Sequence, residues 1–387
     1  MPEVRINVKP AIFEWALQNI NFDELKTKFK DDYLLWMSGK KVPTFKQLEQ
    51  FSNATKIPFG YFFLNTPPVE QMGLLEYRTV ESIEIKQPSR NLIDTVHEME
   101  DIQEWMRDYV KNSDLSELDY IGVYKDTDGV TKIVDGIMNK LSLTKEWFLE
   151  SSSSWDSFKI LRERLEKIGT IVMMNGIVGN NTHRSLNLNE FRAFTLIDNY
   201  APLIFINAND SSNGRLFSLV HEMIHIWLGK NSFYNDYQRN TNGISKLEII
   251  CNAVAAELLV PFDLFNIKWH EHRNDIIKEK VRDIAGYFRT GTTVIARRAL
   301  DQGLINKQTY NEIAEEAINK YKEQKNDQGS GGNYYNTLKT RIDNRLLHAL
   351  SMSIYEGKTA FTEAFRLTNT NRKTFSVLVN MVIGAET

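Results

Sequence analysis

The chain has 387 residues, of which 42% are hydrophobic and 25% charged, with a net charge of -3 and one cysteine. This length holds two or three domains, the composition is that of a soluble globular protein, and the charge carries no global sign of a nucleic-acid partner, although a local patch would escape the sum. No apolar run reaches about eighteen residues and the start lacks a signal-peptide pattern, so a cytoplasmic protein with no membrane partner is expected.

Residues 1–70 read as short helices joined by polar turns. Pro10 opens a helix with Ile12, Trp15, Ala16 and Ile20 inward. Phe22-DELKTKF and Tyr33-LLWMSG form two more, the latter ended by Gly39. Pro43-TFKQLEQFSNATK forms a fourth, with Phe45, Leu48 and Phe51 inward. The run Trp36, Gly39, Lys40, Pro43, Thr44, Leu48 and Glu49 resembles the signature of small Xre/Cro-type helix-turn-helix domains. Nine Lys/Arg stand against eight Asp/Glu over this stretch. Asp31 and Asp32 fall at the start of the expected recognition helix, where carboxylates repel a phosphate backbone, while Lys26, Lys28, Lys30, Lys40 and Lys41 supply a modest basic patch. DNA binding through residues 1–70 is one expectation; a copy kept for packing, dimerisation or protein recognition is the other.

Residues 71–165 carry little chemistry. Asn91–Val110 forms a long amphipathic helix with Ile93, Val96, Ile102, Trp105, Met106 and Tyr109 apolar, and the acidic residues around His97 read as a solvated face. Leu118–Lys125 is a short strand or extended segment, and Ser151–Asp156 is a polar break before a helix over Trp155–Gly169. From Ile171 the pattern changes to strands, over 171–179, 191–198 and 203–208, with Asn199–Pro202 as the turn between the last two.

The most informative stretch is residues 214–229, GRLFSLVHEMIHIWLG. His221 and His225 are four apart, so a helix places both imidazoles on one face within reach of one ion. Glu222 lies about 100° round the axis, where it can polarise a metal-bound water. This is H-E-x-x-H, the pattern of a zinc hydrolase with glutamate as general base. The segment is apolar almost all round, as in a buried helix, and buried polar groups there need a reason; the bland reading is a core helix whose histidines hydrogen-bond to neighbours.

After a polar loop, residues 230–245, comes KLEIICNAVAAELLVP at 246–261, a second buried helix stopped by Pro261. Glu248 would complete a His-His-Glu set and leave the fourth position to water. Glu257 competes, but at nine residues' distance it lies on the opposite side of the helix, and Asn252, one turn from Glu248, supports the Glu248 face. Glu257 is expected to meet solvent or an arginine. Cys251, inside this helix, reads as a buried inert thiol.

HEMIH followed by EIICNAVAAELLVP resembles the ImmA/IrrE family of metallo-endopeptidases. Family sequences more often carry an aromatic residue where Val254 stands. The resemblance implies that His221, His225 and Glu248 bind Zn2+, that Glu222 is base and then proton shuttle, and that the substrate is a regulatory protein such as a repressor or a stress or defence regulator. In such a mechanism the oxyanion needs a second donor; Tyr234, Tyr237, His270, His272 and Arg273 are the candidates nearby. The polar loop Asn231-SFYNDYQRNTNG would cover the cleft.

Beyond residue 262 the chain is mainly helical. Arg289-TGTTVIARRAL superficially offers a second helix-turn-helix, but resembles the segment that follows the zinc helices in this family. Asn326-DQGSGGN is a Gly-rich linker without the ending of a phosphate loop, and the helical tail beyond it resembles that of long family members in which an Xre-like domain is fused to the peptidase. The expected architecture is α+β and mostly helical: an Xre-like helix-turn-helix domain at 1–70, a helical linker region at 71–165, a zinc metallopeptidase domain with a gluzincin-like core and small sheet at 166–325, and a small helical C-terminal domain at 326–387. The expected function is a zinc-dependent endopeptidase. Its runner-up is a DNA-binding regulator, or the antitoxin of a toxin–antitoxin pair, with a vestigial site, and a purely structural interaction protein comes third. Among partners, a homodimer is a further expectation.

Overall fold

The computed structural model describes residues 4–18, 27–68, 88–234, 246–271, 276–327 and 333–383. Its contacts divide the chain into two compact units, Met1–Val96 and His97–Thr387.

The first unit holds α1 (Pro10–Gln18), α2 (Thr27–Met37), α3 (Phe45–Thr55) and a 3-10 turn at Phe59–Phe63. Phe13 is its centre, stacked on Trp36 at 5.5 Å and edge-on to Phe51 at 5.7 Å. Of the signature residues, Trp36, Pro43, Thr44 and Leu48 are buried here. Gly39 turns the chain with φ +67, and Thr44 and Gln47 close a capping box at the start of α3. The helices expected at Phe22 and Tyr33 meet in α2, a single helix from Thr27; residues 22–26 and Ile20 lie outside the described residues. Two expectations are corrected. Phe45 is exposed, with its ring tilted against that of Phe59 at 4.9 Å. Asp32 is buried rather than presented to a partner: its carboxylate takes Lys41 at 2.8 Å and Gln47 at 3.3 Å, fixing the turn between α2 and α3.

The second unit is mostly helical around one small sheet, as expected. α4 (Arg90–Asn112) leads into it, followed by α5 (Val130–Lys140) and α6 (Ser154–Ile168). Then come β1 (Ile171–Asn175), β2 (Ile177–Val178), β3 (Asn181–Ser185), β4 (Ala193–Leu196) and β5 (Leu203–Asn207), the helix α7 (Ser212–Leu228), and β6 (Ser232–Tyr234). The main sheet has the order β1-β5-β4-β6, with β1 and β5 parallel and the other pairs antiparallel; β2 and β3 form a separate hairpin. The expected strand at 171–179 breaks at Gly176 because Asn209 straps its carbonyl at 2.7 Å and the Asn175 side chain accepts its N–H at 2.9 Å. A Cβ at Gly176 would meet the Asn209 side chain at 2.5 Å.

After the sheet come α8 (Lys246–Leu259), α9 (Phe262–Glu271), α10 (Ile277–Tyr287), α11 (Thr292–Asp301), α12 (Lys307–Asp327) and a tail of α13 (Tyr334–Arg341), α14 (Asn344–Tyr355), α15 (Phe361–Thr368) and α16 (Arg372–Ile383). One continuous core surrounds α7, and it draws on Tyr120, Trp147, Phe148 and Phe158 as well as on β1, β5, α8 and α11. Residues 118–124 are not a strand. They wrap the end of α7, donating from Gly122 to the Ile226 carbonyl and from Tyr124 to the Trp227 carbonyl, each at 3.0 Å. The tail docks on β1, the edge strand: Asp343 accepts from the Val172 N–H at 2.8 Å, and Arg162 donates to the carbonyls of Thr340 and Ile342. No helix among the described residues is long and apolar enough to cross a membrane.

Candidate functional site

α7 is capped at both ends by local chemistry. The Ser211 side chain accepts from the Gly214 N–H, and Gly229 ends the helix in the left-handed region at φ 63. Between these caps every residue from Ser218 to Leu228 is buried, so His221, Glu222 and His225 are carried inside the core. α8 packs against α7 and presents Glu248 from its first turn, where the helix dipole also favours a carboxylate.

The three side chains converge. His221 Nε2 lies 3.1 Å and His225 Nε2 3.4 Å from the two oxygens of Glu248, and the two Nε2 atoms are 3.2 Å apart. Two imidazoles and one carboxylate are the ligand types zinc takes, and three protein ligands is the count that leaves a position for water. His225 Nδ1 is buried with no hydrogen bond among the described residues. The two Nε2 atoms and the Glu248 oxygens bring their lone pairs within 3.1–3.4 Å of one another, a donor set that a cation between them satisfies. The residues fit the metal. Burial works against the Glu248 charge, but the His221 and then the His225 imidazoles outweigh it and hold the carboxyl well below the usual range, the state a ligand requires.

Glu222 points to the sheet. Thr195 Oγ1 donates to its Oε2 at 2.5 Å and Ser232 Oγ to its Oε1 at 3.3 Å. Burial pushes its carboxyl up to about 7; the His225 imidazole and the Thr195 hydroxyl pull it down, and the Glu248 carboxylate adds to the rise. A carboxyl so placed can take and return a proton near neutrality.

Other expected residues separate. Glu257 accepts from Arg298 at 2.5 Å and plays no part in the cluster. Asn252 is exposed, so it gives the Glu248 face no buried support. Among the candidates for a second donor, His270 is exposed, while Tyr237, His272 and Arg273 lie outside the described residues. The start of the expected loop at Asn231 forms β6, paired with β4; residues 235–245 lie outside the described residues. Cys251 is buried, and burial raises its thiol pKa, with the Glu248 and Glu222 carboxylates adding to the rise, which keeps it an unreactive thiol. Thr195 and Ser232 had no signal in the sequence beyond a polar residue at a buried strand phase.

A metal-binding triad on two packed helices, with a buried carboxylate one residue after the first histidine, serves metal-assisted hydrolysis of the peptide bond, and the class defined by fold and site is the zinc metallo-endopeptidase. Residues 180–300 match the IrrE N-terminal-like domain, Peptidase_M78, a stretch that holds all four residues. Residues 342–381, which span α14 to α16, match a domain of unknown function, DUF8813. No curated protein and no solved structure matches the chain.

Proposed function

We propose that the chain hydrolyses a peptide bond in a regulatory protein, a repressor or a stress or defence regulator, with His221, His225 and Glu248 as zinc ligands and Glu222 as the general base. The observation that carries this is the convergence of three donor atoms, with a second, buried carboxylate on the adjacent residue of the same helix. Zinc, when bound, polarises the attacking water and the scissile carbonyl. Glu222 takes the proton of that water and passes it to the departing amine. β4 and β6 hold Glu222 in place, and burial around it keeps bulk water out.

The division at 1–70, 71–165, 166–325 and 326–387 belongs to the same proposal, with the peptidase part depending on residues 118–165 for its core. So do a cytoplasmic location and a homodimer. For residues 1–70 the residues of α2 described as exposed are Asp31, Leu34 and Leu35, with Lys30 half-buried beside them, which supports protein recognition over DNA contact; a DNA-binding regulator or antitoxin is the alternative. The test is cleavage of unstructured casein by the full zinc-loaded chain, followed by the appearance of new amino termini. The expected result is cleavage that 1,10-phenanthroline stops and that E222Q lowers by about 10³-fold or more. Equal cleavage by wild type and E222Q contradicts it.

A further inference from the structure

Thr195 on β4 and Ser232 on β6 are directly opposed partners in the antiparallel ladder. Opposed residues project to the same face with Cβ atoms about 4.5–5.5 Å apart, and here both hydroxyls end on one carboxylate, one on each oxygen of Glu222. Thr195 Oγ1 also lies 3.2 Å from the Glu222 backbone oxygen, so it registers the strand against α7 itself. Both residues are buried.

The placement is not what packing alone would select. All four residues of β4 are buried, and Phe194, on the opposite face, stacks on Phe205 at 5.1 Å and on Phe233 at 6.1 Å. Thr195 therefore stands on the helix-facing side of a strand with no water on either face. A valine fills the same volume there without burying a hydroxyl. An ionised carboxylate only accepts hydrogen bonds, so two donors arriving from a rigid sheet fix both of its oxygens.

We propose that Thr195 and Ser232 are positioning residues for Glu222, a pair of hydroxyls held in register across the β4–β6 ladder that sets the direction from which its carboxylate takes the proton. This rests on the peptidase reading above. It also ties the base to the sheet edge: β6 is three residues long and carries one of the two donors, whereas the three metal ligands sit on helices.

The test uses the full zinc-loaded chain as wild type, T195V, T195S, S232A, E222Q and the double variant T195V/E222Q, with zinc content, thermal unfolding, and kcat and KM on fluorogenic casein as readouts. T195V is expected to keep one zinc and its KM while kcat falls about 100-fold, the scale of a catalytic group displaced by about 1 Å. T195S restores the hydroxyl and is expected to recover most of kcat, and S232A is expected to lose less than T195V. T195V at wild-type kcat, or a folded and zinc-loaded T195S no better than T195V, overturns the proposal. Unfolding gives a readout independent of turnover: the effects of T195V and E222Q on melting temperature are expected to be non-additive, and strict additivity overturns the contact itself. Zinc-loaded wild type that cleaves casein no faster than E222Q sinks the peptidase reading and the proposal with it. The unfolding cycle tells that failure apart from a failure of the pairing.

Discussion

Asp343 shows how much one side chain can carry. It is fully buried between the tail and the sheet, with one oxygen on the Val172 N–H and the other capping α14 at the Leu346 N–H. Burial pushes its carboxyl up to about 7; the Glu166 carboxylate adds to the rise and the Arg162 guanidinium opposes it. The folded chain thus holds this proton more tightly than the unfolded chain, where aspartate titrates near about 3.9. The stabilisation is complete below about pH 4 and is lost as pH rises through about 7. Between pH 5 and pH 8 the melting temperature is expected to fall more steeply for wild type than for D343N, whose side chain does not titrate; parallel profiles contradict the assignment. At the scale of residues, the candidate metal cluster was legible in the sequence for a simple reason. Spacing on a helix fixes direction, so His221, Glu222 and His225 declare their relation in five residues, and Glu248 needs only one return of the chain. Thr195 and Ser232 declare nothing, because their relation to Glu222 passes through strand pairing that no local pattern encodes.

Among the elements, α7 ends on a close backbone approach. Gly229 has φ +63 and a Cβ there would stand 2.9 Å from the Gly122 Cα, while Tyr120 lies on the Trp227 ring at 4.7 Å. G229A is expected to cost roughly 2–4 kcal/mol, from the left-handed backbone and the clash together. G357A, at φ +71 with open space around it, is the control and is expected to lose only about 1–2 kcal/mol. Equal losses in chemical denaturation contradict the close approach. The sequence showed β1, β4 and β5 through apolar runs. It did not show β3, whose residues Asn181–Ser185 are polar and held by a hairpin turn at Gly179, nor β6, which exists by pairing with β4. It did not show α5 either, where a Cβ at Gly136 would collide with the Tyr124 ring that packs on it.

For the whole molecule, the consequence is that the peptidase core is larger than the stretch carrying its motif. Tyr120, Ile133, Trp147, Phe148 and Phe158 all enter the cluster that surrounds α7, and Trp147 Nε1 donates to the Leu258 carbonyl at the end of α8. A chain restricted to residues 166–325 is expected to melt without a cooperative transition, whereas one beginning at residue 88 and running to the end folds; cooperative melting of the short form contradicts this. That dependence was not legible because a long amphipathic helix and an irregular wrap look alike whether they link domains or complete a core. The proposed activity depends on the metal site, and the decisive measurement is elemental analysis of the full chain prepared without chelator. One zinc per chain is expected in wild type and in E222Q, with loss of it in both His225→Ala and Glu248→Ala. Wild type without zinc, or Glu248→Ala that keeps it, rules out the His-His-Glu site.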